Sequence, residues 1–217
     1  MTLALFDLDN TLIGGDSDYL WGEFLVSRQL VDIDAYKKAN EAFYQDYIRG
    51  ELDVEAYLRF ALAPLAKIEP DKLQQLHREF MKDSIEPIWL NAAETLVNKH
   101  KTAGHKIAVI TATNRFVVEP IVRRLGIEEL ICSEPEIVAG RYTGNFIGTP
   151  CFAEGKVVKI SEWLKRKGLD LSDSWFYSDS HNDLPLLNKV SNPIAVDPDD
   201  KLQTTAKEKG WPIISLR

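Results

Sequence analysis

Leu3-Ala4-Leu5-Phe6, running straight into Asp7-Leu8-Asp9-Asn10-Thr11, is the stretch on which the fold turns. Four apolar residues in a row, with no alternation, suit a short strand buried on both faces, as in a parallel sheet. Two carboxylates spaced i, i+2 stand at its carboxyl end. That end is where open parallel sheets bind ligands.

Further strands bring polar residues to the same edge. Lys106-Ile107-Ala108-Val109-Ile110 is a second buried strand, with Thr111, Ala112 and Thr113 beyond it. Ser174 to Tyr177 forms another and opens into Ser178-Asp179, with Asn182 and Asp183 in the turn that follows. Residues 193–196 and 211–216 supply the last strands. Residues 129–132 form a weaker one, and residues 136–146 read as a hairpin turning near Ala139-Gly140-Arg141. Between them lie helices at about 88–104, at 114–125 with Pro120 inside to kink it, and at 155–167, stopped by Gly168. Strands alternating with helices predict an α/β fold: a Rossmann-like parallel sheet covered on both faces.

The stretch between residues 14 and 86 breaks that rhythm and is helical throughout. One helix opens near Asp16 or Ser17 and carries Leu20, Trp21, Phe24 and Leu25. Asp34 and Asp53 are capping residues for two more, the second ending near Pro64, and Pro70 opens a fourth. Residues 15–85 therefore read as an all-helical cap inserted into a core built from residues 1–14 and 86–217.

Composition closes off other classes. The chain has 217 residues, 26 Lys and Arg against 33 Asp and Glu, and a net charge of −7. No basic stripe offsets that balance, so nucleic acid is not the expected partner. Two cysteines make no disulfide framework, and no Cys/His spacing suggests zinc. No apolar run approaches a membrane span, and the start of the chain does not resemble a signal peptide. The expectation is a cytoplasmic protein with no membrane partner. Its oligomeric state, monomer or dimer, stays open.

Asp7, Asp9 and Asp179 thus converge from distant points of the chain. Clustered carboxylates repel unless a cation neutralises them, and all-oxygen ligation suits Mg2+. One carboxylate is then free to act as a nucleophile.

The order of these segments resembles the haloacid dehalogenase superfamily. Asp7-Leu8-Asp9-Asn10-Thr11 looks like its first motif, Thr111 its second, Lys156 in Glu154-Gly155-Lys156 its third, and Asp179-Ser180-His181-Asn182-Asp183 its fourth. The helical insert is similar to the cap of the phosphoserine phosphatase-like branch. The resemblance implies a Mg2+-dependent phosphomonoesterase acting through an aspartyl-phosphate. It makes Asp7 the nucleophile and Asp9 the acid and base. Phosphate would be held by Thr111, Ala112, Lys156 and Asn182. The metal would be held by Asp7, Asp9, Asp179 and Asp183, with Asp183 alternatively a partner of Lys156. Lys159, one turn on, competes with Lys156 for the third motif. Ser178 and Thr113 stand where the family often has Gly.

For the substrate, a small phosphate ester, the same branch implies an acid near Asp16 for an amine and an Arg near Arg59 for a carboxylate. Gly15-Asp16-Ser17-Asp18 with Trp21-Gly22-Glu23 looks more like the branch's histidinol-phosphate phosphatases, whose substrate has no carboxylate. Acids at the cap mouth, Asp16, Asp18 and Glu23, suit such cationic groups. The alternatives are a phosphotransferase or mutase using the same Asp nucleophile, and a non-catalytic phosphate-binding module. His181 is expected to be an exposed loop residue without a catalytic role.

Overall fold

The structure, a computed structural model, describes residues 1–217. Seven strands form one sheet in the order β4-β3-β2-β1-β5-β6-β7. They are β1 (Leu3–Phe6), β2 (Lys106–Asn114), β3 (Glu129–Val138), β4 (Arg141–Ile147), β5 (Ser174–Ser178), β6 (Asn192–Val196) and β7 (Ile213–Ile214). All neighbours pair parallel except β3 with β4. All four residues of β1 are fully buried, which explains its unbroken apolar run. Leu3, Leu5 and Phe6 each contribute roughly 1.5–3 kcal/mol relative to exposure.

Side chains alternate across a strand, so β1 feeds two cores. Leu3 and Leu5 face α7 (Glu154–Lys167), α8 (Leu184–Leu187) and α9 (Asp200–Lys209) through Ile160, Trp163, Leu187 and Leu202. Ala4 and Phe6 join Val97 of α5 (Asn91–Thr102) and Val117 and Ile121 of α6 (Arg115–Arg124). This second core continues without a break into the helical block, taking in Trp21, Phe24, Leu62 and Phe80.

That block holds α1 (Ser17–Ser27), α2 (Ile33–Arg49), α3 (Val54–Lys67) and α4 (Pro70–Phe80). A π turn (Met81–Ile85) and a 3-10 turn (Glu86–Ile88) lead back to the sheet. The outgoing and returning chains meet at a bridge between Ile13 and Trp89. Asp16 and Asp53 cap α1 and α3 by accepting backbone N–H groups. The cap of α2 is Asp32, not Asp34: its side chain accepts from the amide of Ala35. Nor does α3 end at Pro64. Pro64 and Leu65 are buried, and their packing carries the helix on to Lys67 despite the missing N–H.

Other expectations shift in extent. β2 runs past Ile110 to Asn114, with its pairing to β3 shifted between those two residues. Helix α5 begins at Asn91 because the 3-10 turn occupies the preceding residues. The weak strand and the first half of the hairpin are one strand, β3. Its turn to β4 has positive φ at both Ala139 (50°) and Gly140 (77°), the conformation that matches strand twist. The hairpin leans on α3 of the helical block, where Gly144 lies close to Ala63 and Ala66.

Candidate active site

Register places the site. Phe6 pairs with Val109 on one side and Tyr177 on the other. Asp7 therefore stands level with Ile110 and Ser178, and Thr111 and Asp179 come one residue beyond. The Asp7 amide donates to the carbonyl of Tyr177 at 2.9 Å, fixing that exit.

Asp7 is buried against Lys156, whose Nζ donates to Asp7 Oδ1 at 2.7 Å. The same ammonium donates to Asp183 Oδ2 at 2.8 Å and stands 2.7 Å from its Oδ1. Ser178 adds a donor to Asp183 at 2.6 Å. Asp183 is thus fully engaged as the partner of Lys156, the alternative to a metal ligand. Lys159 points elsewhere, to the carbonyl of Cys132 at 2.7 Å. Between the two lysines the geometry selects Lys156. Gly155 allows this placement, since a Cβ there would meet the carbonyl oxygen of Pro150 at 2.0 Å.

Asp9 is held by three donors. The amide of Ser17 reaches Oδ1 at 2.7 Å, and the hydroxyls of Thr113 and Thr111 reach Oδ2 at 2.8 and 3.4 Å. From sequence, Thr113 is noted only at the end of the second strand, where the family often has Gly, and carries no role. Period two along the end of β2 puts it on the same side as Thr111, and that spacing was the available signal. Thr11 is a second omission. Its hydroxyl donates to Asp179 Oδ1 at 3.0 Å and accepts the Asp179 amide at 3.0 Å.

Four acids share this pocket's depth with one lysine. Burial pushes Asp7 and Asp179 well above the usual carboxylate range. Asp183 pushes both further, as does Asp7 on Asp179, while Lys156 pulls Asp7 back. Lys156 itself is raised: burial opposes its charge, but Asp183 and Asp7 outweigh it. This is an excess of negative charge in a dry place, and a divalent cation would balance it. No three His, Cys, Asp or Glu side chains form a ready-made cage. Two carboxylates, Asp7 and Asp179, with a main-chain carbonyl and water, would make a fitting donor set. That set suits Mg2+, which takes few carboxylates and keeps its waters.

Above these groups lies a cavity roofed by α1, α2 and α3. Asp7, Asp9, Thr111, Ala112, Lys156, Asn182 and Asp183 line its floor. Asp16, Asp18, Tyr19, Phe43, Tyr44, Tyr47 and Tyr57 line its roof. Asn182 also ties floor to roof, its Nδ2 donating to the carbonyl of Tyr47 at 3.2 Å.

Arg59 is not there. It is half exposed, paired with Glu55 at 3.1 Å and stacked over Phe146 at 5.3 Å. A position on the outer face of α3 puts it against the hairpin instead of the cavity. His181 is not an exposed loop residue either. Its side chain is 14% exposed and sits 2.7 Å from Asp199. Cys151 is buried beside the carbonyl of Ile131, and burial pushes its thiol up to about 12, away from the reactive thiolate form.

A sequence model of haloacid dehalogenase-like hydrolases matches residues 4–188. The chain belongs to this family. A histidinol-phosphatase of Neisseria meningitidis is 46% identical over 219 residues, covering 99% of each chain. A crystal structure of a protein of unknown function from Bordetella pertussis superposes with a TM-score of 0.93. It is 45% identical and covers 100% of both chains. A phospho-aspartyl intermediate analogue of a phosphoserine phosphatase shares the fold, with a TM-score of 0.71 at 20% identity. It covers 100% of this chain and 93% of its own. This family member is an enzyme, a hydrolase of phosphatase type. No helix is long and apolar enough to cross a membrane.

Proposed function

We propose that this hydrolase is a Mg2+-dependent phosphomonoesterase whose substrate is an amino-bearing ester, histidinol phosphate in preference to phosphoserine. The insertion at residues 15–85 acts as its cap. The observation that carries the preference is the cavity's charge. Among its lining residues Lys156 is the only base, and Asp7 and Asp183 already hold it. A phosphoserine carboxylate would enter a cavity with acids at Asp16 and Asp18 and no free cation. An ester whose alcohol is cationic meets those acids and a wall of tyrosines and phenylalanines, which favour cations over their faces.

In this reading Asp7 attacks phosphorus, the bond to the alcohol oxygen breaks, and Asp9 gives its proton to the departing alkoxide. Water then attacks the aspartyl-phosphate, Asp9 takes the water's proton, and inorganic phosphate leaves. Thr111 and Lys156 hold phosphoryl oxygens against the charge that develops there. Thr113 and the Ser17 amide aim Asp9. Asp7 and Asp179, with the Asp9 carbonyl, would hold Mg2+, which neutralises charge on the phosphoryl oxygens. The helical block roofs the reacting groups, and its closure over a bound ester would exclude water from the leaving group.

Phosphate release tests this on a panel of histidinol phosphate, phosphoserine, sugar phosphates and nucleotides, with Mg2+ and with a chelator. Metal-dependent turnover of histidinol phosphate well above the others is the expected result. Turnover that prefers phosphoserine would overturn the substrate, and no release from any ester would overturn the hydrolysis.

A further inference from the structure

Asp18 carries an unsatisfied acceptor. Its residue is 6% exposed, and its Oδ2 has no hydrogen-bond partner. Its Oδ1 accepts from Asn114 Nδ2 at 3.3 Å. Buried polar atoms are nearly always paired, and an orphan at a cavity wall points to a missing ligand. Asp18 lines the cavity directly above the reacting groups.

Three neighbours determine what that ligand must bring. Asp16, the nearest rival, is fixed through one oxygen: its Oδ1 accepts the amides of Asp18 and Tyr19 at 3.0 and 2.9 Å and so caps α1. Asn114 has no freedom to turn. Its Oδ1 accepts the amide of Val117 and caps α6, which leaves only its NH2 to face Asp18. The third is Tyr57, whose hydroxyl approaches the Asp18 carboxylate and favours its charged form, but makes no hydrogen bond of normal length and angle to it. No Lys or Arg of the cavity answers the charge.

We infer that Asp18 is a specificity-determining residue, the counter-ion for a positively charged nitrogen on the substrate's alcohol. Asn114 holds its carboxylate in place from the sheet side, and Tyr57 flanks the cation. Burial and the nearby carboxylates of Asp16 and Asp9 favour the protonated acid in the free enzyme. A cationic ligand reverses that preference, and an uncharged ester does not. The carboxylate so placed rejects esters that leave it buried and unpaired. This inference rests on the phosphatase reading above, but binding reads it independently of turnover.

The test compares wild type with Asp18→Asn, which keeps the shape and removes the charge. One readout is the ratio of kcat/KM for histidinol phosphate to that for p-nitrophenyl phosphate. The expected result is a fall in that ratio of tenfold or more, expressed in KM for the cationic ester. The second readout is calorimetric binding of histidinol itself, expected to weaken by a similar factor. In two buffers of different ionisation enthalpy, wild type should release a proton on binding that the variant does not. A merely structural role would lower both esters together and leave the ratio unmoved, and that outcome overturns the assignment. Should neither ester turn over, the phosphatase reading fails. Weaker histidinol binding in Asp18→Asn would then still support Asp18, and absence of binding to wild type would overturn it. Asp18→Ser, read the same way, covers the case in which the Asn variant does not fold.

Discussion

Lys156 and Asp7, 149 residues apart in sequence, form a buried ion pair at 2.7 Å, with side chains 4% and 7% exposed. Deleting one partner of a buried pair leaves an uncompensated charge, at a cost of about 3–5 kcal/mol. Lys156→Met should therefore lower stability in urea by an amount of that order. Hydrolysis at saturating Mg2+ should fall at least about 100-fold, as when one donor to a developing oxyanion is removed. A variant with near-native turnover would place the phosphate on another cation.

Thr113 donates to Asp9 Oδ2 at 2.8 Å. A hydrogen bond to a charged group is worth about 1.5–3 kcal/mol. Thr113→Val keeps the branched shape and loses the donor. Its kcat should fall about tenfold with KM for the ester little changed. An equal fall in Thr113→Ser, which restores the hydroxyl, would show that the methyl packing matters and the donor does not.

Gly155 has no room for a side chain, because its Cβ would lie 2.0 Å from the Pro150 carbonyl oxygen. That atom is backbone, so relief requires the start of α7 to move and Lys156 to move with it. Gly155→Ala should cost about 1–3 kcal/mol in thermal or urea unfolding. Activity at a temperature where the variant is fully folded should still drop sharply. Retention of full activity there would separate the turn from the site.

Arg59 faces the hairpin. Exposed ion pairs contribute about 0–1 kcal/mol, so Arg59→Ala should change stability by no more than that. KM for the preferred ester should move less than about twofold. A tenfold rise in KM would mean that Arg59 reaches the substrate in another position of the cap.

His100 is buried between His105, at 2.8 Å, and the Tyr177 hydroxyl, also at 2.8 Å. Burial, then the charges of His105 and Lys99, hold its pKa down to about 4, against 6.5 when free. Between those values the unfolded chain binds the proton and the native chain does not. His100 therefore contributes stability that is fully present above about pH 6.5 and lost as pH falls toward about 4. Urea midpoints at pH 7.5 and 4.5 should differ less in His100→Gln than in wild type. Equal slopes would show that His100 titrates normally in the fold.

The sequence by itself determined the family and the order of its motifs along the chain. Leu3 to Phe6 read as a strand buried on both faces, and the four motifs lie at strand or helix ends that meet around Asp7. Local signals also found most helix starts, because a capping Asp acts within three residues, though Asp32 took the place of Asp34 for α2. Three things were decided only by tertiary structure. The first is which of two lysines one turn apart meets Asp7, set by where the Gly155 turn aims α7 against the sheet. The second is the supporting hydroxyls of Thr11, Thr113 and Ser178, each joined to an acid brought near by strand register or loop folding. The third is the cap. Asp16, Asp18 and Arg59 are all charged residues at helix surfaces, and their spacing does not say which way each faces. Packing of α3 on the β3–β4 hairpin turned Arg59 outward, while the cap of α6 at Asn114 drew Asp18 into the cavity. Local chemistry acts over a few residues and can be read in one dimension. Facing is a sum of contacts from distant segments, and only the folded chain performs that sum.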